Sequence, residues 1–100
     1  IKPGMTAKEA DAISREYISS HNYGEQFGHL LGHGIGLDIH EGPLLSQNSS
    51  DELKKNTCDT KEPGLYIEGL GGVRIEDDIL ITENGCHVFT KCSKDLIILE

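Results

Sequence analysis

Tryptophan is absent from the 100 residues, and three tyrosines and two phenylalanines are the only aromatic side chains. With 36% apolar residues, a chain this long can bury roughly two-thirds of its unfolded surface at best, and it must do so with aliphatic groups. Basic residues are also scarce: 9 Lys and Arg stand against 17 Asp and Glu, a net charge of −8. Nucleic acids and anionic membranes need a basic face, so this balance argues against both as partners. It suits a cation site or plain solubility. No apolar run approaches the ~20 residues that span a bilayer, and no signal peptide is visible. The chain opens on Ile1 rather than Met; a fragment is the expectation, and missing targeting signals then carry little weight. Cys58, Cys86 and Cys92 are odd in number and lack C-x-x-C spacing. That speaks against a disulfide framework and for a reducing compartment, the cytoplasm, with the cysteines as small packing residues.

The order of elements is readable. "IKPG" is a turn, and "TAKE" at 6–9 has the form of a capping box. Ala7, Ala10, Ile13, Tyr17 and Ile18 recur at helical spacing, predicting a helix over 7–20 with one apolar face, ended by "HNYG". A polar loop, "SQNSSDE", leads into β texture. "TCDTK" alternates, "EPGLYI" holds a Pro-Gly turn, "GLGG" is a second turn, and "VRIEDDILIT" is the longest strand candidate. "ENG" closes a hairpin into "CHVFT", and "DLIIL" reads as a last strand. The fold class is α+β, a helix packed on an antiparallel sheet, in one domain over 1–100.

Between the helix and the loop lies "GHLLGHGIGLDIHEGP", residues 28–43, with three histidines and five glycines in sixteen positions. The glycines argue against a helix, so the His29/His33 pair is not the zinc helix of the H-E-x-x-H type, whose Glu is missing in any case. An extended path would instead bring His33 and His40 to a shared cavity, with the glycines letting backbone approach a substrate. A glycine-rich loop with solvated histidines fits the stretch alone equally well. Two carboxylates add weight to the site. Glu62 precedes Pro63-Gly64, and Glu76 lies within "VRIEDDIL". Alternation puts Arg74, Glu76 and Asp78 on one strand face, with Val73, Ile75 and Ile79 toward the other. A carboxylate in a central strand needs a cation, an arginine or water, and a plain exposed edge strand would satisfy that. Imidazole plus two carboxylates is also a ligand set for Mn, Co, Zn or Fe(II).

"FGHLLGHGIGLDIHEGP", "EPGLYI" and "GGVRIEDDILIT", in that order, closely resemble three motifs of the pita-bread metallopeptidases, the superfamily of methionine aminopeptidase, prolidase and aminopeptidase P. "RIEDD" resembles the proline-peptidase branch. The resemblance covers nearly the whole chain and implies the C-terminal part of a pita-bread catalytic domain from a metal-dependent Xaa-Pro exopeptidase. It implies His33 as a metal ligand, Glu62 as a ligand and general base, and Glu76 as a carboxylate bridging two divalent metals (Mn, Co or Zn). His29 and His40 resemble the histidines that hold substrate and stabilise the tetrahedral intermediate, and Arg74 would orient carboxylates. The implied substrate is a peptide or dipeptide with proline second. Asp38 is assigned to holding the histidine loop, and His21 and His87 to solvent.

Two departures limit the resemblance. The family's centre also takes two Asp ligands from an upstream hairpin, and nothing here matches them; Asp11 is the only Asp before His33. Weak or no metal binding and no catalysis are therefore expected of this chain alone. Where the family has an apolar strand before Glu-Pro-Gly, this chain has "TCDTKEPG". Alternation turns Asp59 and Lys61 away from Glu62, toward the face where helices should pack. Two charges there predict an exposed face, which would favour self-association into a homo-oligomer. A non-catalytic pita-bread-like module that binds a peptide or protein is the alternative function, and a mononuclear site of His33, Glu62 and Glu76 is a third reading.

Overall fold

The computed structural model describes residues 1–100. Helix α1 (Ala7–Ser20) starts where the capping box places it. Thr6 Oγ1 accepts the Glu9 N–H at 3.2 Å, and the Glu9 carboxylate accepts the Thr6 N–H at 2.8 Å, so two otherwise orphaned donors are satisfied. The helix ends at His21, followed by Asn22 in the left-handed region (φ 67°). A short 3-10 turn (Gly24–Gln26) leads to seven strands: β1 (Gly32–Gly34), β2 (Glu41–Leu45), β3 (Cys58–Lys61), β4 (Gly64–Ile67), β5 (Gly71–Arg74), β6 (Asp77–Ile81) and β7 (Cys86–Val88). An antiparallel sheet runs in the order β2-β1-β3-β6-β7, and β4-β5 form a separate hairpin.

"VRIEDDILIT" is thus two strands, not one. β5 pairs with β4 and β6 with β3, so the chain passes between sheets at Ile75-Glu76. β3 and β4 make the matching passage at Glu62-Pro63. "DLIIL" forms no strand, and Leu96, Ile97, Ile98 and Leu99 are exposed. Cys86 and Cys92 are exposed as well, and only Cys58 is half-buried, so two of the three cysteines do not pack.

The core is aliphatic: Ala7, Ala10, Phe27, Leu31, Leu45, Leu53 and Ile81 form one cluster. Only 15 of the 100 residues are buried, so part of the helix's apolar stripe finds no cover. Ile13 and Tyr17 stay exposed and, with Pro63, Leu65, Val73 and Ile75, line an open apolar groove. In its place the helix buries a charge, Asp11. No helix is long and apolar enough to cross a membrane.

Pairing register puts Leu45, Asp59 and Ile79 on the sheet face turned to α1 and His33 on the other. The strand pattern predicted an open face around Asp59, and the structure overturns this. Asp59 is 0% exposed, because β3 is the central strand of five. Neither carboxylate oxygen has a hydrogen-bond partner. Lys61, half-buried, turns its ammonium to the buried Asp77 at 3.0 Å, and Lys94 reaches the other Asp77 oxygen at 3.0 Å. Burial alone would raise the Asp77 pKa, but the two ammonium groups together outweigh it and hold the carboxylate below its usual range.

Gly32 and Gly34, on either side of His33, allow close packing between strands. A side chain at Gly32 would strike the Thr60 carbonyl, and one at Gly34 the Gly42 carbonyl. Both absences let β1 wedge between β2 and β3.

Candidate active site

His33 lies mid-strand in β1, with its N–H donated to Thr60 Oγ1 at 3.1 Å. Its Nδ1 sits 3.0 Å from the Gly34 carbonyl. A carbonyl only accepts, so Nδ1 carries a proton, and in the neutral ring the lone pair is then on Nε2. That Nε2 lies 3.9 Å from Glu62 Oε2. The His40 ring meets the His33 ring edge-on, with centroids 4.7 Å apart.

Glu62 and Glu76 face each other because each occupies a passage between the two sheets. The pairs flanking the passages are Lys61 with Asp77 and Gly64 with Arg74, which leaves the two glutamates side by side. The Glu62 N–H is donated to the Leu31 carbonyl at 2.7 Å, outside any strand ladder. Burial and then the adjoining Glu62 carboxylate, through hydrogen bonding and repulsion, push the Glu76 carboxyl above its usual range, against the pull of Arg74. A carboxyl pushed up by an adjoining carboxylate is a setting into which a divalent cation fits. Arg74 Nε is 3.6 Å from Glu76 Oε2; Tyr66 first, and then Glu76 and Glu62, reinforce the guanidinium's charge.

His29 forms the opposite wall. Its Nδ1 is 2.7 Å from the Leu30 carbonyl, and its Nε2 is 3.1 Å from the Tyr66 hydroxyl. By the same logic Nδ1 carries the proton and Tyr66 donates to Nε2. His29, Leu30, His40, Glu62 and Arg74 line one cleft of about 440 Å³.

All six residues singled out in the sequence, His29, His33, His40, Glu62, Arg74 and Glu76, therefore lie in one neighbourhood. They meet in pairs: no three His, Cys, Asp or Glu side chains converge closely enough to hold a metal ion. Asp38 does not hold the histidine loop by its side chain; its backbone N–H is donated to the Glu41 carboxylate at 3.2 Å. His21 and His87 are exposed. Sequence reasoning missed Tyr66, Thr60 and the Asp11–Arg15 pair. Only the last carried a signal, opposite charges four apart on a predicted helix.

The His33 ring beside the Glu62–Glu76 carboxyl pair, on this α+β scaffold, is donor chemistry suited to a divalent cation. The chain belongs to the metallopeptidase family M24, whose model matches residues 1–83. It is 57% identical over 99 residues to the uncharacterised peptidase YqhT of Bacillus subtilis, covering 99% of this chain and 28% of that protein. It is 56% identical over 96 residues to an Xaa-Pro dipeptidase of Pyrococcus furiosus, covering 96% of this chain and again 28% of the relative. The structure of an Xaa-Pro dipeptidase from Bacillus anthracis superposes with a TM-score of 0.96 at 56% identity, over 99% of this chain and 28% of that one. The chain thus spans between a quarter and a third of the length of these relatives, and its fold is part of the pita-bread fold.

Proposed function

We propose that these residues are the C-terminal part of the catalytic domain of a cytoplasmic, metal-dependent Xaa-Pro exopeptidase. The observation that carries the reading is the Glu62–Glu76 carboxyl pair with His33 Nε2 3.9 Å from Glu62. His33, Glu62 and Glu76 would hold part of a centre of two divalent cations (Mn, Co or Zn), which when bound supplies Lewis acidity and an activated water. Glu62 takes the proton of the attacking water. His29, with Nδ1 tied to the Leu30 carbonyl, faces the substrate cleft together with His40. Arg74 holds the carboxylates in place. The substrate class, a peptide or dipeptide with proline second, rests on relatives bearing the name Xaa-Pro dipeptidase.

Hydrolysis of Gly-Pro with added Mn²⁺ by the longer polypeptide that carries these residues tests this. Turnover that is lost in Glu62→Ala is expected, whereas a variant as active as the parent refutes the assignment. Peptide binding without any turnover would instead support a non-catalytic binding module. The 100-residue chain alone, with no partner for the two missing Asp ligands, is expected to show no turnover.

A further inference from the structure

The segment from Phe27 to Leu31 carries His29 yet lies outside any strand. Its polar backbone groups need partners, and one ion pair on α1 supplies them. Arg15 Nε and Nη2 donate to the two oxygens of Asp11 at 2.6 and 2.9 Å. The same guanidinium donates through Nη1 to the Phe27 carbonyl at 2.9 Å and through Nη2 to the His29 carbonyl at 2.8 Å. Asp11, fully buried, accepts the Leu31 N–H at 3.1 Å, a donor it shares with the Leu45 carbonyl at 2.8 Å. Leu31 in turn accepts the Glu62 N–H at 2.7 Å. The guanidinium also lies over the Phe27 ring, 4.1 Å from its centroid, and that ring meets His29 edge-on at 5.3 Å.

We infer that the Asp11–Arg15 pair positions the candidate site, setting His29 directly and Glu62 through Leu31. The pair grips alternate carbonyls on either side of Gly28 and the amide of Leu31, leaving residues 28–30 little freedom. With the His29 carbonyl pinned, its Nδ1–H reaches only the Leu30 carbonyl, and Nε2 points at Tyr66. An ammonium could not replace this fork, because four bonds in fixed directions need the planar five-donor guanidinium. Asp11 and Arg15 are positioning residues and touch no substrate. The purpose assigned to them rests on the proposed peptidase reading; the geometric claim does not.

The test uses the ¹⁵N-labelled 100-residue chain and long-range proton–nitrogen spectra of the imidazoles above neutrality, with no metal or peptide present. In the native chain His29 is expected as a single Nδ1–H tautomer, with the Arg15 Nη protons resolved from one another by restricted rotation. In Arg15→Lys the helical circular dichroism and the His21 and His87 signals should stay, while His29 loses its single tautomer. A folded Arg15→Lys chain whose His29 pattern is unchanged would overturn the inference. Should that variant not fold, the native chain decides: freely averaged Nη protons overturn the clamp, and resolved ones support it. Neither readout depends on turnover, so failure of the peptidase reading and failure of the clamp are distinguishable.

Discussion

Asp59→Asn exchanges the buried orphan carboxylate of β3 for a neutral group of the same shape. Burial raises the Asp59 pKa from 3.8 to about 7, against the opposite pull that His33 exerts when it is protonated. An acid whose folded pKa exceeds its unfolded one favours the native state most when both forms are protonated. Its contribution is therefore best below pH 3.8, falls across the window from 3.8 to about 7, and is flat above. Each pH unit in that window costs about 1.4 kcal/mol, so slightly more than three of them cost roughly 4 kcal/mol by about pH 8. Asn removes this term but keeps an unpartnered buried amide, which costs about 1–3 kcal/mol, much as the protonated acid does. Against the native chain, Asp59→Asn should be nearly neutral at about pH 4 and stabilising by about 2–4 kcal/mol at about pH 8. In a domain of this size that corresponds to a rise in Tm on the order of 10 °C. Thermal melts of both chains across the window provide the assay. Parallel pH profiles, or a variant less stable than the parent at the higher pH, would refute the reasoning.

The Asp77 carboxylate acts in the opposite direction: its pKa is depressed, so its contribution is present above 3.8 and is lost as pH falls through the lower folded value. Lys94→Ala should cost about 0.5–1 kcal/mol near neutrality, with the gap closing in acid, as followed by urea titration. Gly32→Ala should destabilise by about 1–3 kcal/mol through collision with the Thr60 carbonyl; an unchanged melting temperature would count against the wedge of β1. Calorimetry should find weak Mn²⁺ binding to the native chain that disappears in Glu76→Ala, and equal affinity in the two would remove Glu76 from the ligand set. Tyr66→Phe should leave the fold intact but free His29 Nε2, visible as a shift of its ring nitrogen signal.

Much of the architecture was legible because it is local. A Thr6–Glu9 capping box and helical spacing set α1 to the residue. "ENG" marked the β6–β7 turn, closed by the Thr82 N–H on the Gly85 carbonyl at 3.0 Å. The passage of "VRIEDDILIT" from one sheet to another was not legible, since the acidic triplet at 76–78 interrupts the strand-forming residues without stating which partner each half takes. Nor was the fate of the helix stripe: spacing marks Ile13 and Tyr17 as apolar-face residues, but only packing decides that they stay uncovered while Asp11 is buried. The charges of β3 show the same division. Alternation assigns Asp59 and Lys61 to the helix-side face, and the assumption that charges must then meet water failed. Asp59 lies within a central strand, and Lys61 pairs with the buried Asp77.

The sequence by itself determined the kinds of groups available and their order: histidines among glycines, one glutamate before Pro-Gly and another between Ile75 and two aspartates. Those identities fix what lone pairs, protons and charges the molecule can bring, because side-chain chemistry survives any change of fold. Only the tertiary structure decided which of them meet. Glu62 and Glu76 oppose each other because two strands leave one sheet for another at matching points. His29 faces the cleft because a guanidinium twelve to fourteen residues away grips the carbonyls around it. Such encounters depend on register and on satisfying buried backbone groups, and both are settled by long-range pairing that no local pattern encodes.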